Sequence, residues 1–435
     1  MFRAALLVGV DIAILYAVLW SVLWFRFGDP LASGAWGQHV LPFSLLYGLW
    51  LLVFHAFGLY NLGLTKNSFA FLFALSRSLG ACFFLAVIFF YFTPFFGIAP
   101  KTNLFLVTLL AFLFLGLWRL LYNMQARHPY HVQSVIVIGQ NAHALELQEH
   151  LAQNPQFGYK ISAIIRPEEQ ELNLLSLSKE HTILAAFDLH AYPKLTQTLF
   201  SFVPELWFES LASFYERITG KVPLSQIDEI WFLHNLRERE RSAYETLKRI
   251  TDILSGLVLG LFALLFLPLV AIALLLESPG SLFYAQQRVG KNGKVFTLWK
   301  FRSMVPNAEE NGAAWAQKND PRVTKAGNIL RKTFIDELPQ AINILKGDMS
   351  LVGPRPERPE FVQSLSEEIP FYQIRHLVKP GITGWAQVNS PYGNSTQGAL
   401  EKLQYDLYYL KNRSLMLDLD ILLKTVNVVF KGGTQ

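Results

Sequence analysis

Cysteine is nearly absent from this chain, because Cys82 is the only one among 435 residues. A single cysteine cannot form an intramolecular disulfide, so nothing points to an oxidising compartment. Charge is also scarce: Asp, Glu, Lys and Arg make up 16% of the residues, whereas apolar residues make up 52%. This balance excludes an ordinary soluble protein and predicts membrane segments joined to globular parts that lie in a cytosol.

The few charges are unevenly distributed. Residues 1–235 carry 13 Lys or Arg against 14 Asp or Glu, whereas residues 236–435 carry 25 against 19. The basic second part suits an anionic partner, which could be nucleic acid, an anionic membrane face or a phosphorylated substrate. Composition alone does not choose among the three.

Four apolar runs near the amino terminus are long enough to cross a hydrocarbon core of about 30 Å, which takes roughly 20 helical residues. They lie at Ala5–Phe25, Val40–Leu59, Leu79–Phe96 and Leu104–Leu121. We expect residues 1–130 to form a four-helix transmembrane domain with both ends in the cytoplasm, because more Lys and Arg flank that side. Asp11, inside the first run, is interpreted as a tolerated polar group that faces the neighbouring helices.

Residues 131–235 predict a Rossmann-like α/β domain of regulatory or structural role. A buried strand ends at Gly139, a helical pattern follows over Ala142–Leu151, and a second strand is expected at Lys160–Ile165. The turn after Gly139 lacks the second and third glycines of the dinucleotide fingerprint, so its backbone could not approach a pyrophosphate closely. We therefore expect no nicotinamide cofactor.

The part from 236 to 435 begins with a charged amphipathic helix, Leu236–Arg249, followed by an apolar run from Ile253 to Leu276. Basic residues flank this run on both sides, whereas a spanning helix carries the excess on one side. Pro268 lies within the run and can bend a helix back toward the face it entered. We predict a re-entrant membrane helix over 250–277. The alternative is a kinked fifth span, which would carry the basic part away from a cytosolic substrate.

A second helix is expected to begin near Asp336, since Pro339 is tolerated only in a first turn. The ordinary role of Asp336 is then an N-cap, with Glu337 as an acid of the first turn that the helix dipole favours. The same geometry also permits chemistry. A helix amino end binds phosphate, and two adjacent carboxylates could supply a nucleophile and a magnesium ligand.

Four basic residues strengthen the chemical interpretation, although a solvated surface charge is the usual fate of each: Lys300, Arg302, Arg331 and Arg355. Arg355 stands between two prolines, so its guanidinium loses little entropy when it binds a phosphate. Most of the four have apolar or proline neighbours, which favours a defined role over simple solvation.

The residues from about Thr246 to the carboxyl end resemble the bacterial sugar transferases, the large monotopic polyprenyl-phosphate phosphoglycosyl transferases of the undecaprenyl-phosphate glycose phosphotransferase type. The motifs occur in order and are Lys248-Arg-x-x-Asp252, Gln286-x-Arg288-Val-Gly290, Lys300-Phe-Arg-Ser-Met304, Asp320-Pro-Arg322, Leu330-Arg-Lys-Thr333, Asp336-Glu-Leu-Pro-Gln340, Gly347–Pro356, Lys379-Pro-Gly-Ile-Thr-Gly384 and Tyr405-Asp406. The front of the chain is also similar to large members of this family. The resemblance implies a membrane α-helical bundle, a Rossmann-like α/β domain and a mixed, mainly α-helical catalytic domain, 236–435, with a re-entrant membrane helix.

The resemblance also implies an activity. Asp336 would attack the sugar-bearing phosphate of a UDP-sugar, release UMP and form an aspartyl phosphosugar that passes to a polyprenyl phosphate. Asp336 and Glu337 would hold Mg²⁺, and the alternative role of Glu337 is to activate the lipid phosphate. Residues implied in substrate or phosphate binding are Lys300, Arg302, Asp320, Arg322, Arg331, Arg355 and Gln387, and those implied at the membrane interface are Lys248, Arg249, Asp252 and Pro268. The implied partners are the UDP-sugar, the lipid, the bacterial cytoplasmic membrane and a second copy in a homodimer, with no nucleic acid.

Two other functions fit parts of the sequence. A membrane-anchored nucleotide-sugar dehydratase or epimerase would need an intact glycine fingerprint followed by Tyr-x-x-x-Lys. Tyr244 and Lys248 have that spacing, but they precede an apolar helix and lie more than 100 residues after the degenerate turn. A non-enzymatic assembly platform would bind anionic lipid without turnover. Release of UMP from UDP-sugars in the presence of polyprenyl phosphate separates these functions from the transferase.

Overall fold

The computed structural model of the chain describes residues 2–430, except for 62–68, 97–100, 127–131, 167–180, 186–191, 194, 196, 198, 200–206, 225–230, 233–234, 236–241, 309, 311–319 and 391–394. The described residues form two compact units, Met1–Ile218 and Thr219–Gln435. The finer division into parts 1–130, 131–235 and 236–435 stays a prediction.

The first unit opens with four long apolar helices, as predicted. Their bounds are α1, Phe2–Phe27; α2, Ala35–Ala56; α3, Phe69–Phe92; and α4, Lys101–Ala126. Each is long and apolar enough to cross a membrane. Their facing sides bury an aromatic and aliphatic core that includes Trp50, Phe43 and Leu19, while many of their other large apolar side chains remain exposed.

Asp11 lies in this core and has a partner. Arg119 Nη2 of α4 donates to Asp11 Oδ2 over 2.7 Å, and both side chains are buried. A buried charge needs such pairing in a medium of low polarity. The expectation that Asp11 faces neighbouring helices is therefore confirmed. Four of the basic residues that set the predicted orientation, Arg3, Lys66, Lys101 and Arg127, have side chains outside the described residues.

The rest of the first unit contains a parallel sheet. Its elements are β1, Gln133–Ile138; α5, Ala142–Gln153; β2, Tyr159–Ile165; β3, His181–Ala185; β4, Trp207–Ser210; and α6, Leu211–Thr219. The strand order is β2-β1-β3-β4, and every pairing is parallel. The predicted β-α-β unit is confirmed, because apolar strand residues such as Val135 and Val137 are fully buried beneath α5.

The second unit is organised around one long helix, α7, Ser242–Glu277, which contains Pro268. It is continuous, whereas the sequence predicts an amphipathic helix and then a separate apolar segment; residues 236–241 lie outside the described part. Of the described helices, α7 is also long and apolar enough to cross a membrane. One face packs on the unit through Val270 and Leu274. The other exposes large apolar side chains at helical spacing: Leu254, Leu257, Leu261, Leu264 and Leu265.

Short elements follow α7, and several of them pack against its buried face. They are β5, Phe283–Val289; β6, Val295–Phe301; α8, Lys325–Lys332; a 3₁₀ helix, Ile335–Gln340; α9, Ala341–Lys346; β7, Ser350–Val352; α10, Pro359–Glu368; a second 3₁₀ helix, Tyr372–Leu377; β8, Gly381–Thr383; α11, Trp385–Asn389; α12, Thr396–Asn412; and α13, Leu415–Phe430. Strands β5 and β6 form an antiparallel hairpin, and β7 pairs with β8 in parallel.

Both ends of α7 are fixed to this same unit. At its start, Arg249 donates to the carbonyls of Ile344 and Leu345 over 2.7 and 2.8 Å. At its end, the Glu277 carboxylate accepts hydrogen bonds from the backbone N–H groups of Lys325 and Ala326. The mixed α/β character of the second unit and the presence of membrane-type helices are therefore as predicted.

Candidate active site

A sharp reversal of the backbone positions the two adjacent carboxylates. Helix α8 ends at Lys332 with Thr333 as its C-cap, and Phe334 takes the left-handed conformation with φ of 56°. The chain then enters the 3₁₀ helix, in which Asp336 and Glu337 occupy the first turn and Pro339 lies further on. The predicted N-cap role of Asp336 is wrong, because Phe334 holds the cap position and no side chain caps this helix.

Glu337 is held as an anion by two cations. Lys300 Nζ from β6 donates to Glu337 Oε1 over 2.7 Å, and Arg355 Nη2 donates to the same oxygen over 3.1 Å. Burial by itself would raise the pKa of this carboxyl group, but Lys300 and Arg355 outweigh burial and lower the pKa to about 2. Glu337 is therefore ionised at neutral pH, and one of its oxygens is already engaged.

Asp336 differs from its neighbour although the two are adjacent. Its side chain is buried, and Oδ1 has no hydrogen-bond partner among the described residues. Burial raises the pKa of Asp336; the positive charge of Lys300 opposes this, and the negative charge of Glu337 adds to it. A buried acceptor without a partner is costly, and such groups are concentrated where function requires them. Asp336 thus presents a free oxygen beside a cluster of cations.

Three more of the predicted residues lie near this pair. Arg331 donates through Nε to Ser303 Oγ over 2.9 Å, and its charge interacts with those of Asp336 and Asp320. Asp320 and Arg322 bind each other, with Arg322 Nη2 donating to Asp320 Oδ2 over 2.6 Å. The structure thus gathers Lys300, Arg331 and Arg355 around the carboxylates, and the Asp320–Arg322 pair borders Arg331.

Arg302 and Gln387 have other neighbours. The guanidinium of Arg302 is buried and donates to the carbonyls of Ser278 and Pro279, so it fastens the chain that leaves α7. Gln387 donates to the carbonyl of Ile382 over 2.7 Å, while its Oε1 is buried without a partner among the described residues. Neither side chain contacts the carboxylate pair through a hydrogen bond that the structure describes.

The predicted membrane-interface residues cluster at the start of α7. Lys248 binds Asp418 over 2.8 Å, and Asp252 accepts from Ser350 Oγ and from the backbone N–H of Leu351, both over 2.8 Å. Tyr244 also donates to Asp418. The Tyr244 and Lys248 spacing of a dehydratase therefore belongs to a packing contact between α7 and α13. Pro268 lies 16 positions beyond Asp252 in the same helix.

Sequence reasoning missed Arg375 as a site residue. This side chain is buried, binds Asp406 Oδ2 over 2.8 Å, and donates through Nη2 to the carbonyl oxygen of Arg355 over 3.0 Å. It thereby fixes the backbone that carries the Arg355 guanidinium. Asp406 belongs to a quoted motif and was the available signal, but no spacing rule pairs two residues that are 31 positions apart.

Asp336 and Glu337 suit a Mg²⁺ ion that is bound through one or two carboxylate oxygens, and do not suit an ion that is enclosed by many acidic side chains. The described residues contain no group of three or more His, Cys, Asp or Glu side chains placed to hold a metal. Mg²⁺ usually takes one or two carboxylates, and substrate phosphates and waters complete its octahedron. The free Oδ1 of Asp336 can supply one such bond, with Glu337 beside it.

The geometry is therefore suited to phosphoryl chemistry. A buried carboxylate with an unengaged oxygen can act as a nucleophile, and surrounding Lys and Arg groups can stabilise charge on phosphoryl oxygens. Glu337 keeps Lys300 and Arg355 oriented before any substrate arrives, since both cations converge on its Oε1.

Comparison with known proteins agrees with the resemblance seen in the motifs. The model of the family described as bacterial sugar transferase matches residues 243–432. An Aeromonas hydrophila UDP-N-acetylgalactosamine-undecaprenyl-phosphate N-acetylgalactosaminephosphotransferase is 45% identical over 50% of this chain and 51% of its own length. An Escherichia coli UDP-glucose:undecaprenyl-phosphate glucose-1-phosphate transferase is 44% identical over 43% of this chain and 40% of its own length.

A shorter relative is covered more completely. A putative undecaprenyl-phosphate N-acetylgalactosaminyl 1-phosphate transferase of Bacillus subtilis is 49% identical over 33% of this chain and 80% of its own length. By contrast, the alignments span about half or less of the two larger relatives. All three similarities reach at least 144 residues, so they extend well beyond one short motif.

Proposed function

Because the chain belongs to the bacterial sugar transferase family, we propose that it transfers a sugar-1-phosphate from a UDP-sugar to polyprenyl (undecaprenyl) phosphate and releases UMP. The names of the relatives support this substrate pair, since all three contain undecaprenyl phosphate and two of them also contain a UDP-sugar. The observation that carries the proposal is the buried Asp336, with its unengaged Oδ1, beside Lys300, Arg331 and Arg355. The product would begin the assembly of an exopolysaccharide, capsule, O-antigen or other glycoconjugate.

The proposed reaction has two displacements at one phosphorus atom. First, a carboxylate oxygen of Asp336 attacks the sugar-bearing phosphorus; a P–O bond to Asp336 forms, and the P–O bond to UMP breaks. Second, an oxygen of the polyprenyl phosphate attacks the same phosphorus, and the bond to Asp336 breaks. The carboxylate is restored, and the lipid carries a diphosphate linked to the sugar. Splitting one difficult transfer into two steps is the advantage of a covalent intermediate.

The side chains have distinct roles in this scheme. Lys300 and Arg355 face the phosphoryl oxygens from the Glu337 side, and Arg331 faces them from the Asp336 side, so charge that develops in either step meets cations. Bound Mg²⁺, held by Asp336 and Glu337, would add Lewis-acid stabilisation of the phosphates. Arg375 holds the Arg355 backbone and keeps that guanidinium in place.

We also propose that α7 is a re-entrant membrane helix. A straight helix of 36 residues would be about 54 Å long, more than the roughly 30 Å of a hydrocarbon core. The hydrogen bonds of Arg249 and Glu277 tie its two ends to one unit, which supports entry and exit on one side. Its exposed apolar face would lie in lipid, so that the site meets a polyprenyl phosphate at the membrane surface.

The remaining parts fit a multi-pass protein of the bacterial inner membrane. Helices α1 to α4 would span it, and the parallel-sheet part, which we interpret as Rossmann-like, would share the cytoplasm with the second unit. A homodimer completes the proposal. The degenerate turn at Gly139 supports a structural or regulatory role for that sheet, without a nicotinamide cofactor.

The test is Asp336→Asn in the purified full-length protein. We expect release of UMP to be lost, because the amide is a poor nucleophile. Mass spectrometry of wild-type protein incubated with UDP-sugar alone should find the sugar-phosphate mass on the peptide that contains Asp336. The variant should lack this adduct and keep its melting temperature.

Asp420→Asn is the matched control, since it removes a half-buried carboxylate that pairs with Lys424 over 3.0 Å and has no part in the proposed site. This variant should retain activity. Near-normal UMP release by Asp336→Asn would remove Asp336 from the mechanism. A panel of UDP-sugars in the same assay identifies the sugar.

A further inference from the structure

A second group of cations lies away from the carboxylate pair, at the start of α7. One cleft is lined there by Lys248 and Arg249 from α7, Lys291 from the turn between β5 and β6, Lys379 from the segment before β8, and Arg413 after α12. The lining also contains Glu245 and Asp252, so cations outnumber carboxylates. None of these residues contacts Asp336 or Glu337 in a described hydrogen bond or ion pair.

Two of the lysines that line the cleft form no hydrogen bond or ion pair with the described residues. Lys248 binds Asp418, Arg413 binds Glu245 over 3.1 Å, and Asp252 is occupied by Ser350 and Leu351. By contrast, the structure gives the ammonium groups of Lys291 and Lys379 no hydrogen bond or ion pair within the part of the chain that it describes. A cleft with two uncommitted cations can bind an anion without breaking an existing pair.

The cations also crowd one another. A side chain at Gly347 would come within 3.5 Å of Lys379 Nζ and 3.7 Å of Arg249 Nη2, so these two groups lie no more than about 7 Å apart, the sum of the two distances. Burial lowers the pKa of Lys379, and the charges of Arg249 and Lys291 lower it further, although the carboxylates of Asp252 and Glu245 act in the opposite direction. An anion in the cleft would relieve this repulsion. The glycine leaves that approach open.

The position of the cleft identifies the kind of anion. Exposed apolar side chains surround the start of α7: Leu247, Ile250 and Leu254 on α7, and Met416 and Leu419 on α13. Side chains of this kind insert into lipid, whereas Lys and Arg beside them meet the head groups. The cleft therefore lies where the phosphates of a bilayer surface would be.

From this arrangement, and resting on the membrane placement proposed above, we propose that the cleft is a binding site for the phosphate of an anionic phospholipid, with Lys291 and Lys379 as its principal ligands. It is separate from the reaction site. The residues that line it include neither Asp336 nor Glu337, and none of the three cations around that pair, Lys300, Arg331 and Arg355, belongs to the lining. The lipid bound here would hold α7 at the membrane surface and would not be consumed.

The experiment measures the melting temperature of the full-length protein in neutral detergent while short-chain phosphatidylglycerol is added. Short-chain phosphatidylcholine and inorganic phosphate are added in parallel. We expect phosphatidylglycerol to raise the melting temperature in a saturable manner, and the other two to have little effect. Lys291→Gln and Lys379→Gln should each weaken the apparent affinity by about fivefold, because a lysine near an anionic surface is worth about 1 kcal/mol.

Lys294→Gln is the matched control, because Lys294 is exposed in the same turn and does not line the cleft. It should retain the wild-type response. Equal responses in all three variants, or an equal response to phosphatidylcholine, would overturn the proposal. A response to inorganic phosphate but not to phosphatidylglycerol would replace it with a site for free phosphate. The melting measurement does not depend on turnover, so the two proposals can fail separately. If the protein releases UMP but its melting temperature does not respond to phosphatidylglycerol, the lipid site is contradicted and the transferase is not. If it responds to phosphatidylglycerol but releases no UMP, the transferase is contradicted and the lipid site is not.

Discussion

Replacement of Lys300 by Met tests whether the cations, and not the surrounding protein in general, keep Glu337 ionised. Lys300 Nζ lies 2.7 Å from Glu337 Oε1, closer than Arg355 at 3.1 Å. Met has a similar length and removes only the charge and the donor group. Among the residues that the structure describes, Arg355 would then be the one cation still paired with the buried Glu337, and the pKa of Glu337 should rise.

The magnitude follows from the pKa of Glu337, which is about 2 in the folded protein and about 4.3 in an unfolded chain. This difference corresponds to about 3 kcal/mol of stability from the two cations together, and Lys300 should account for the larger share because its charge lowers the pKa more than that of Arg355 does. Because the folded pKa is the lower one, this stability is present above pH 4.3 and is lost as the pH falls toward 2. The melting temperature at pH 7 should fall by roughly 4–8 °C.

The assay is the thermal unfolding of wild type and Lys300→Met in detergent at pH 7, 5 and 3. We expect the difference between them to be largest at pH 7 and to shrink clearly at pH 3. Lys294→Met, which removes an exposed lysine near the start of the same strand, should melt like wild type at each pH. A difference for Lys300→Met that stays constant from pH 7 to pH 3 would refute the electrostatic explanation.

Three other outcomes can be measured. Single cysteines at Ser242 and Asn292, in a cysteine-free background, should both be labelled from the cytoplasmic face of vesicles; labelling from opposite faces would rule out the re-entrant helix. Gly353→Ala should lower the melting temperature by an amount equivalent to about 3 kcal/mol, since a Cβ there would collide with backbone atoms of Lys379 and Gly381. Arg375→Leu should lose about 3–5 kcal/mol by leaving Asp406 buried without its cation, and unchanged melting would contradict that pairing.

The four helices of the bundle could be predicted from sequence because length and hydropathy alone determine whether a segment can occupy a bilayer. The β-α-β unit could be predicted for a similar reason, since the apolar strand β1 and the spacing of α5 are local patterns. By contrast, the sequence did not predict that α7 is one continuous helix. The amphipathic segment and the apolar segment have different periodicities, yet helical hydrogen bonds run through both from Ser242 to Glu277.

The sequence predicted which residues belong to the site better than it predicted how those residues are arranged. Motif order identified Asp336, Glu337 and the cations around them, but the cap assigned to Asp336 was wrong. The cap position belongs to Phe334, an aromatic residue in a left-handed conformation that local preference disfavours. The partners of Arg302 could not be predicted either. They are two backbone carbonyls, and only the path of the folded chain brings them close to Arg302.

The attachment of α7 at both ends has a consequence for how the protein would respond to its membrane. A helix that crosses a bilayer must match its thickness and adjusts by tilting or by deforming the lipid. On the proposed one-sided insertion, the depth of α7 is set by the hydrogen bonds that join Arg249 and Glu277 to other parts of the second unit. The depth of α7 would therefore depend on the lipid composition of the leaflet that the helix enters, and hardly at all on the thickness of the whole bilayer.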